Sequence, residues 1–558
     1  MENKTIARTL RLLSQLMELH EENPFKVKSI ANAYFKVDKL PFALKDKPFE
    51  EIDKIDGIGK GLAAKIIELL QTGELKELND IIQQTPEGVI EMLGIKGIGP
   101  KKILIIWRTL EIESIGELYY ACNENRLIEA KGFGLKTQEE IKNAIEFKLA
   151  ANGRFLYAQV EGFANTLKDQ ISEWLISVDK DSLLGLAGQY RRACEIIDEL
   201  ELVIGAKHVE EVQLNLSSFK PLSLIAGEDA FITTTDTGLR IKIFVVNKAD
   251  FYLEWFKKTG NIEHVDKVLK LAGNGPFANE NEIYSKAGLA FIEPELREGF
   301  DEIELAKEHK LPTLIKYNDL KGSLHNHSTW SDGVHTLEQM AVYCKDTLNL
   351  QYLGICDHSK TAVYAKGLNE QRVYGQHQEI DELNKKLAPF KIFKGIESDI
   401  LSDGSLDYSD DVLKTFDFVV ASVHSNLRMD EAKATARLLK AIENPYTTIL
   451  GHPTGRLLLS RAGYPIDYKK IIDACAANNV VIEINANPLR LDLDWRWHRY
   501  ALENGVLLSV NPDAHRTEGF HDMKYGILVA RKGGLSADKC LNAFSLEEIT
   551  EYFNGKKV

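Results

Sequence analysis

The sequence predicts a multidomain protein. Residues 1–150 read as a helical region, 151–300 as an α+β region, 301–318 as a linker, and 319–558 as an α/β domain built as a distorted seven-stranded (β/α) barrel. Three observations carry this reading. The chain has 558 residues, more than one core holds, and about 150 residues per domain gives three or four domains. Apolar spacing is helical near the amino terminus, turns to strands and short helices after residue 150, and becomes a strand–helix alternation from Asp319. Ten of the fourteen histidines follow residue 320, several of them at the ends of apolar strands.

Composition bounds the class. With 44% hydrophobic and 27% charged residues, the chain reads as an ordinary soluble globular protein. Met1-Glu2-Asn3-Lys4 opens no apolar signal region, and no apolar run is long enough to span a membrane. The six cysteines (122, 194, 344, 356, 475 and 540) form no Cys-x-x-Cys pair. They are expected as buried thiols of a cytoplasmic protein, here taken as a monomer. A net charge of −14 excludes coating of DNA by bulk electrostatics but permits local contacts through amides and a few lysines.

The helical region starts with Ile6, Leu10, Leu13 and Met17 at helical spacing, and Asn23-Pro24 is expected to end that helix. A pattern then recurs. Ile55-Asp56-Gly57-Ile58-Gly59-Lys60, Ile95-Lys96-Gly97-Ile98-Gly99-Pro100-Lys101 and Ala130-Lys131-Gly132-Phe133-Gly134 each precede a helix, expected over 62–70, 101–110 and 138–149. Glycines there allow a tight turn whose amides face outward at a helix start, an anion site fit for a DNA phosphate. One such turn usually just links two helices. Three in one region resemble helix-hairpin-helix motifs, which hold DNA backbone without reading sequence.

These turns, preceded by Glu22-Asn23-Pro24-Phe25-Lys26-Val27-Lys28, resemble the amino-terminal and fingers regions of family X DNA polymerases. Lys65 falls where some members carry a lysine that forms a Schiff base with an abasic sugar; the plainer reading is a solvated lysine on a helix face. Gly188-Gln189-Tyr190-Arg191-Arg192, running on to Ile204, resembles the palm motif that positions nucleotide and metals, and Thr259-Gly260-Asn261-Ile262-Glu263-His264 the motif that opens the thumb. Departures follow. The family's two aspartates on one strand are Glu199 and Glu201 here, and the third position is Lys242. Gln189 replaces a serine at the triphosphate position, and Asp198 is out of register with Glu201. Two-metal phosphoryl transfer needs short carboxylates bridging ions about 4 Å apart. The expected outcome is a retained palm scaffold with a disabled centre, in which Lys242 pairs with Glu199 or Glu201.

The barrel opens at Gly322-Ser323-Leu324-His325-Asn326-His327, followed by Ser331-Asp332-Gly333. If Leu320–Leu324 is a strand, His325 and His327 aim at one point and Asp332 adds a carboxylate, an N/O site for Zn²⁺, Mn²⁺ or Fe²⁺. Further strands are expected to end at Asp357-His358, Glu397, His424, His452, Asn485 and Asp513-Ala514-His515. Polar groups at the carboxyl ends of parallel strands are where (β/α) barrels build active sites. This order resembles the PHP (polymerase and histidinol phosphatase) domain. The resemblance implies nine ligands for two or three divalent ions, manganese first with zinc or iron as alternatives: His325, His327, Asp332, His358, Glu397, His424, His452, Asp513 and His515. His335 rivals Asp332, and Asp357 is expected to orient His358. Arg456 either grips a phosphate or is an ordinary surface arginine. With Arg456, the residues His325, His327, Glu397 and Asp513 form the implied catalytic set. His377, His498 and His521 are read as structural.

Taken together, the sequence points to a metal-dependent DNA phosphodiesterase of repair, a 3′–5′ exonuclease with abasic-site cleavage as a further activity. Gapped, nicked or 3′-ended DNA would be held through Gly57, Gly59, Lys60, Gly97, Gly99, Lys101, Gly132 and Gly134. Three rivals stand beside it: a gap-filling polymerase, a small-molecule phosphatase of the histidinol-phosphate type, and a non-enzymatic binder of DNA ends.

Overall fold

The computed structural model describes every residue except 96, 129, 151, 152, 218, 557 and 558, and only the backbone of 147–150. Two compact units emerge, Met1–Glu146 and Phe147–Val558. No helix among the described residues is long and apolar enough to cross a membrane.

In the first unit, the helix Asn3–Leu19 buries Ile6, Leu10, Leu13 and Met17, the face its spacing marks. Asn23-Pro24 breaks the chain as expected, but Pro24 also begins the next helix, Pro24–Asp38. The Asn23 side chain caps it by accepting from the Phe25 amide at 2.9 Å, and proline at the first helical position loses no hydrogen bond. The three glycine turns lead into helices Lys60–Thr72, Pro100–Arg108 and Leu135–Ala150. Lys96 of the second turn lies outside the described residues.

The second unit opens with an α+β palm. Its strands are β1 (Phe155–Leu156), β2 (Leu183–Leu186), β3 (Ile196–Ile197), β4 (Glu199–Ala206), β5 (Ile225–Ala226), β6 (Phe231–Thr234) and β7 (Arg240–Asn247). Five of them form one sheet in the order β2-β4-β7-β6-β5. β4 and β7 run parallel, placing Glu199 opposite Arg240 and Glu201 opposite Lys242. Residues 301–318 are not the bare linker the sequence suggests. Glu302–Lys307 is a helix whose Ile303 and Ala306 pack with Leu253, Val265 and Tyr284 of the thumb.

The barrel strands are β8 (Gly322–Ser323), β9 (Tyr352–Ile355), β10 (Lys391–Asp399), β11 (Phe418–Ser422), β12 (Ile449–Leu450), β13 (Val481–Asn485) and β14 (Leu508–Asn511). They pair in chain order, each parallel to the next. A parallel bridge between Asn326 and Ala514 joins the first strand's extension to the last, with the His327 amide donating to Ala514 O at 2.9 Å. Two strand boundaries differ from expectation. β8 stops at Ser323, and β10 runs on to Asp399, so Glu397 lies inside a strand rather than beyond its end. The amino-terminal end of the barrel is filled by aromatic packing: Phe553 of the last helix, Leu546–Lys556, stacks on Phe418 at 4.9 Å and meets Phe393 edge-on at 5.1 Å. Gly354 and Gly395 make room for Phe418, whose Cζ lies 2.5 Å from where either Cβ would sit. The opposite, carboxyl-terminal end is left for polar groups.

Five of the six cysteines are buried, and all are free thiols. Among the described residues the largest fully buried side chain is Arg297, in the thumb. Its Nη1 donates to Glu280 Oε1 at 2.7 Å, and the same carboxylate takes Arg191 Nη1 at 2.9 Å and Nη2 at 2.5 Å. Burial raises the Glu280 pKa, but the two guanidinium groups outweigh it and hold the carboxyl below its ordinary value of 4.5. Glu280→Ala would strand a buried guanidinium, and the expected loss is about 3–5 kcal/mol, read as a lower denaturant midpoint for the second unit. Since the folded pKa is depressed, the wild-type advantage is present in full above pH 4.5 and is lost as pH falls through the lower folded value.

Candidate metal centre and nucleic-acid-binding turns

The carboxyl ends of the barrel strands deliver the histidines and carboxylates to one buried place. Three groups of ligand atoms each lie within 4.8 Å of one another: His327, Asp332, His358 and His515; His325, His327 and Asp513; and His358, Glu397 and His424. His327 and His358 each belong to two groups, so the cluster is continuous. Glu397 stands at its middle. Oε1 is 3.3 Å from His325 Nε2, 3.1 Å from His424 Nε2 and 3.0 Å from His452 Nε2, and Oε2 is 3.0 Å from His358 Nδ1 and 3.6 Å from His327 Nε2. Asp513 Oδ1 faces His327 Nε2 at 3.0 Å and His325 Nε2 at 3.5 Å. Asp332 faces His515 Nε2 at 3.4 Å and His358 Nε2 at 3.5 Å. His452 falls outside the three groups and meets the cluster through Glu397.

These residues fit a metal centre on the chemistry of their unsatisfied atoms. His325 Nε2, His327 Nδ1, Asp332 Oδ2, His358 Nδ1 and Glu397 Oε2 are buried and make no hydrogen bond. Such an atom costs about 1–3 kcal/mol unless something compensates it, and five around one cluster of N and O donors call for cations of the Mn²⁺, Zn²⁺ or Fe²⁺ kind. Protonation agrees. Burial and the neighbouring His515 and His358 bring the His327 pKa down to about 3, leaving neutral imidazole, the ligating form. Burial works against ionisation of Asp332 and Asp513, yet the adjoining histidines hold both carboxyls well below the usual range.

A supporting layer escaped the sequence reading. His325 Nδ1 meets Glu483 Oε1 at 2.7 Å, while Glu483 Oε2 accepts the His452 amide at 2.7 Å. His424 Nδ1 meets Asp399 Oδ1 at 2.5 Å. Both carboxylates had a local signal. Glu483 interrupts the apolar run Val480–Ile484, where a buried acid needs a partner, and Asp399 shares a strand face with Glu397 two residues before it.

Several expectations are corrected. Asp357 does not orient His358. Its carboxylate accepts from the Ser328 amide at 2.8 Å and hydroxyl at 2.7 Å, from Ser331, and from Gln376 Nε2 at 2.6 Å, fixing the turn that carries Asp332. His335 is turned away from the cluster and accepts the Thr517 amide on Nδ1 at 3.1 Å, which leaves Asp332 in place. Arg456 is not free to grip a phosphate: Nη1 donates to Asp494 Oδ2 at 2.6 Å, Nε to Arg490 O at 2.9 Å and Nη2 to Leu491 O. His377 packs edge-on against Phe416, His498 bonds Leu493 O, and His521 bonds the Tyr343 hydroxyl, all apart from the cluster.

In the palm, Lys242 Nζ donates to Glu199 Oε1 at 2.8 Å. Burial and the Glu199 charge push the Glu201 carboxyl up, and Glu201 Oε2 lies 2.1 Å from where a Cβ on Gly188 would sit. Gln189 folds back, donating to Asp198 Oδ2 at 2.8 Å. Arg192 donates from Nε to Glu298 at 2.9 Å and from Nη1 to Thr259 O at 2.6 Å.

In the glycine turns the roles divide. Gly57, Gly97 and Gly132 have φ of +81°, +97° and +91°, the left-handed region that favours glycine. Gly59 and Gly99 are the extended residues capping the next helix, and neither cap has a side chain bonded to the helix amides. A Cβ at Gly59, Gly99 or Gly134 meets nothing within 4 Å, so the space before these amides is open. Lys60 and Lys101 sit in the first turns of those helices. Lys65 is ion-paired with Glu77, which also holds Lys26 at 2.6 Å.

Helical hairpins, an α+β palm and a parallel barrel with this cluster define the class of bacterial family X chains carrying a PHP domain. Comparison with known proteins agrees. A helix-hairpin-helix domain model matches residues 1–75, and a SAM-like helix-hairpin-helix tandem model matches 89–146. The chain is 34% identical over 576 aligned residues, 99% of each chain, to the DNA polymerase/3′-5′ exonuclease PolX of Bacillus subtilis (strain 168). Over shorter stretches it is similar to probable phosphatases. One, from Thermoanaerobacter sp. (strain X514), is 30% identical over 31% of this chain and 73% of its own; another, from Caldanaerobacter subterraneus, is 34% identical over 31% and 69%. The chain belongs to the PolX family.

Two outcomes follow from this geometry. Glu483→Gln, which removes no proposed ligand, should weaken Mn²⁺ binding about 10–100-fold by calorimetry; unchanged affinity would make Glu483 a packing residue. Gly59→Val costs about 1 kcal/mol at the cap and meets no neighbour, so the protein should fold but bind duplex DNA of any sequence several-fold more weakly. Equal affinity across salt concentrations would reduce that turn to a connector.

Proposed function

We propose that this chain is a metal-dependent DNA phosphodiesterase, a 3′–5′ exonuclease of repair with abasic-site cleavage as a second activity, and that its polymerase centre is disabled. The observation that carries the reading is the complete set of nine histidine and carboxylate side chains at the barrel mouth, on one chain with three open glycine turns. In functional terms, residues 1–150 would hold gapped, nicked or 3′-ended DNA, 151–300 form the palm and thumb, and 319–558 hydrolyse. Two or three divalent ions, manganese first, would be held by His325, His327, Asp332, His358, Glu397, His424, His452, Asp513 and His515. When bound, such ions supply Lewis-acid activation of the phosphodiester and of the attacking water. The chain's own part is to hold the three carboxylates ionised and to fix His325, His452 and His424 through Glu483 and Asp399.

Support for a disabled palm comes from Lys242, whose ammonium fills the position of a third carboxylate and binds Glu199 at 2.8 Å. Gln189 and Arg192 are committed to Asp198 and Glu298. The PolX relative has polymerase in its name, and the probable phosphatases suggest a monoester substrate, so one assay set should separate the readings. The wild-type protein with Mn²⁺ should shorten an end-labelled primed duplex from its 3′ end, leave a phosphomonoester nearly untouched, and add no nucleotide at a one-nucleotide gap. His325→Ala or Glu397→Ala should abolish shortening while gel-shift affinity for DNA stays within about twofold. Parallel loss of binding and cleavage would overturn this division of labour, and robust gap filling would overturn the palm argument.

A further inference from the structure

The palm motif Gly188–Glu195 touches the barrel as well as the thumb. Glu195, at its end, is buried. Its Oε2 accepts the indole N–H of Trp495 at 3.2 Å, and its Oε1 lies 3.6 Å from Arg456 Nη2. Both partners belong to barrel loops. Arg456 sits four residues after His452, and Trp495 follows the loop that leaves β13.

Those two loops are tied to each other at several points. Arg456 Nη1 donates to Asp494 at 2.6 Å, and its other donors go to Arg490 O and Leu491 O. Asp492 Oδ2 accepts both the amide and the hydroxyl of Thr454 at 2.9 Å. His452 has φ of +23° and Gly455 of +61°, so this short loop holds an unusual backbone path. The path brings His452 Nε2 to 3.0 Å from Glu397 Oε1. Nearby, Lys532 of the barrel is 3% exposed and donates to Arg192 O at 3.0 Å. It also shares Glu298 with Arg192. The barrel thus holds the carboxyl-terminal half of the palm motif at two points, Arg192 and Glu195.

We infer that Glu195 is a positioning residue of the barrel's metal centre: by holding Arg456 and Trp495 it fixes the loop that presents His452 to Glu397. A palm segment associated with nucleotide positioning is thereby part of the hydrolytic machinery, acting on the cluster through Arg456 and Trp495. The inference rests on the cluster being a metal centre, as proposed above, but not on DNA being its substrate.

The test uses the full chain and Mn²⁺ binding by calorimetry, with 3′-end shortening measured in parallel. Glu195→Ala and Arg456→Ala should each lower the affinity of the weakest Mn²⁺ site about 10-fold. The double variant should be no worse than either single one, because both break one clamp. Glu195→Gln keeps the acceptor for Trp495 and should recover part of the loss, which also guards against a simple folding defect. Unchanged Mn²⁺ affinity in Glu195→Ala, or losses that add in the double variant, would overturn the inference. Altered Mn²⁺ affinity together with a wild-type protein that shortens no DNA would sustain the positioning role and sink the exonuclease reading instead. Mn²⁺ binding absent from the wild type would remove both.

Discussion

Burial of six imidazoles and three carboxylates at the end of one barrel is the constraint on which the second unit depends. Eight of the nine are buried and His424 is half-buried, and none can stay charged alone in so dry a place. The structure meets this cost with five imidazole nitrogens at 3.0–3.6 Å around Glu397 and with a second layer of acids behind the histidines. The aromatic packing of Phe393, Phe418 and Phe553 at the far end supplies apolar burial that the polar end cannot. One end of the barrel is therefore stabilised by the hydrophobic effect and the other by charge pairing.

How much of this was legible in the sequence depended on how local each signal was. His325, His327, His358 and His515 were readable because each sits beside an apolar run whose end marks the barrel mouth. The glycine turns were readable for the same reason: positive φ at Gly57, Gly97 and Gly132 is a demand of the turn itself. Partners set by the tertiary fold were not readable. Arg456 has the charge to grip a phosphate, and nothing nearby announces Asp494. Lys65 looked available until the fold brought Glu77 to it. Residues 301–318 were read as a linker from their charge, but Ile303 and Ala306 are enough to dock that helix on the thumb. Glu483 fell between these cases, a buried acid whose need was visible and whose partners were not.

The palm is held both by charge pairing inside its sheet and by its neighbours. Lys242 lies opposite Glu201 and is bonded to Glu199, which balances charge between the two parallel strands. At the same time the segment 188–195 has bonds to both thumb and barrel. A fold element that braces two neighbours is constrained by both, whatever its own site does.

Closure of the barrel has a consequence for the order in which the protein comes into being. His327 meets Asp513 across 186 residues of chain, and the Asn326–Ala514 bridge joins strands made first and last. Chains are folded as they leave the ribosome, amino-terminal units first. The hairpin unit, complete by Glu146, can be shaped while the rest is still being translated. The histidine and carboxylate cluster has no partial form of comparable use: it lacks Asp513 and His515 until almost the whole chain has been made. A nascent or carboxyl-terminally truncated chain would thus keep its glycine turns and have no assembled centre behind them.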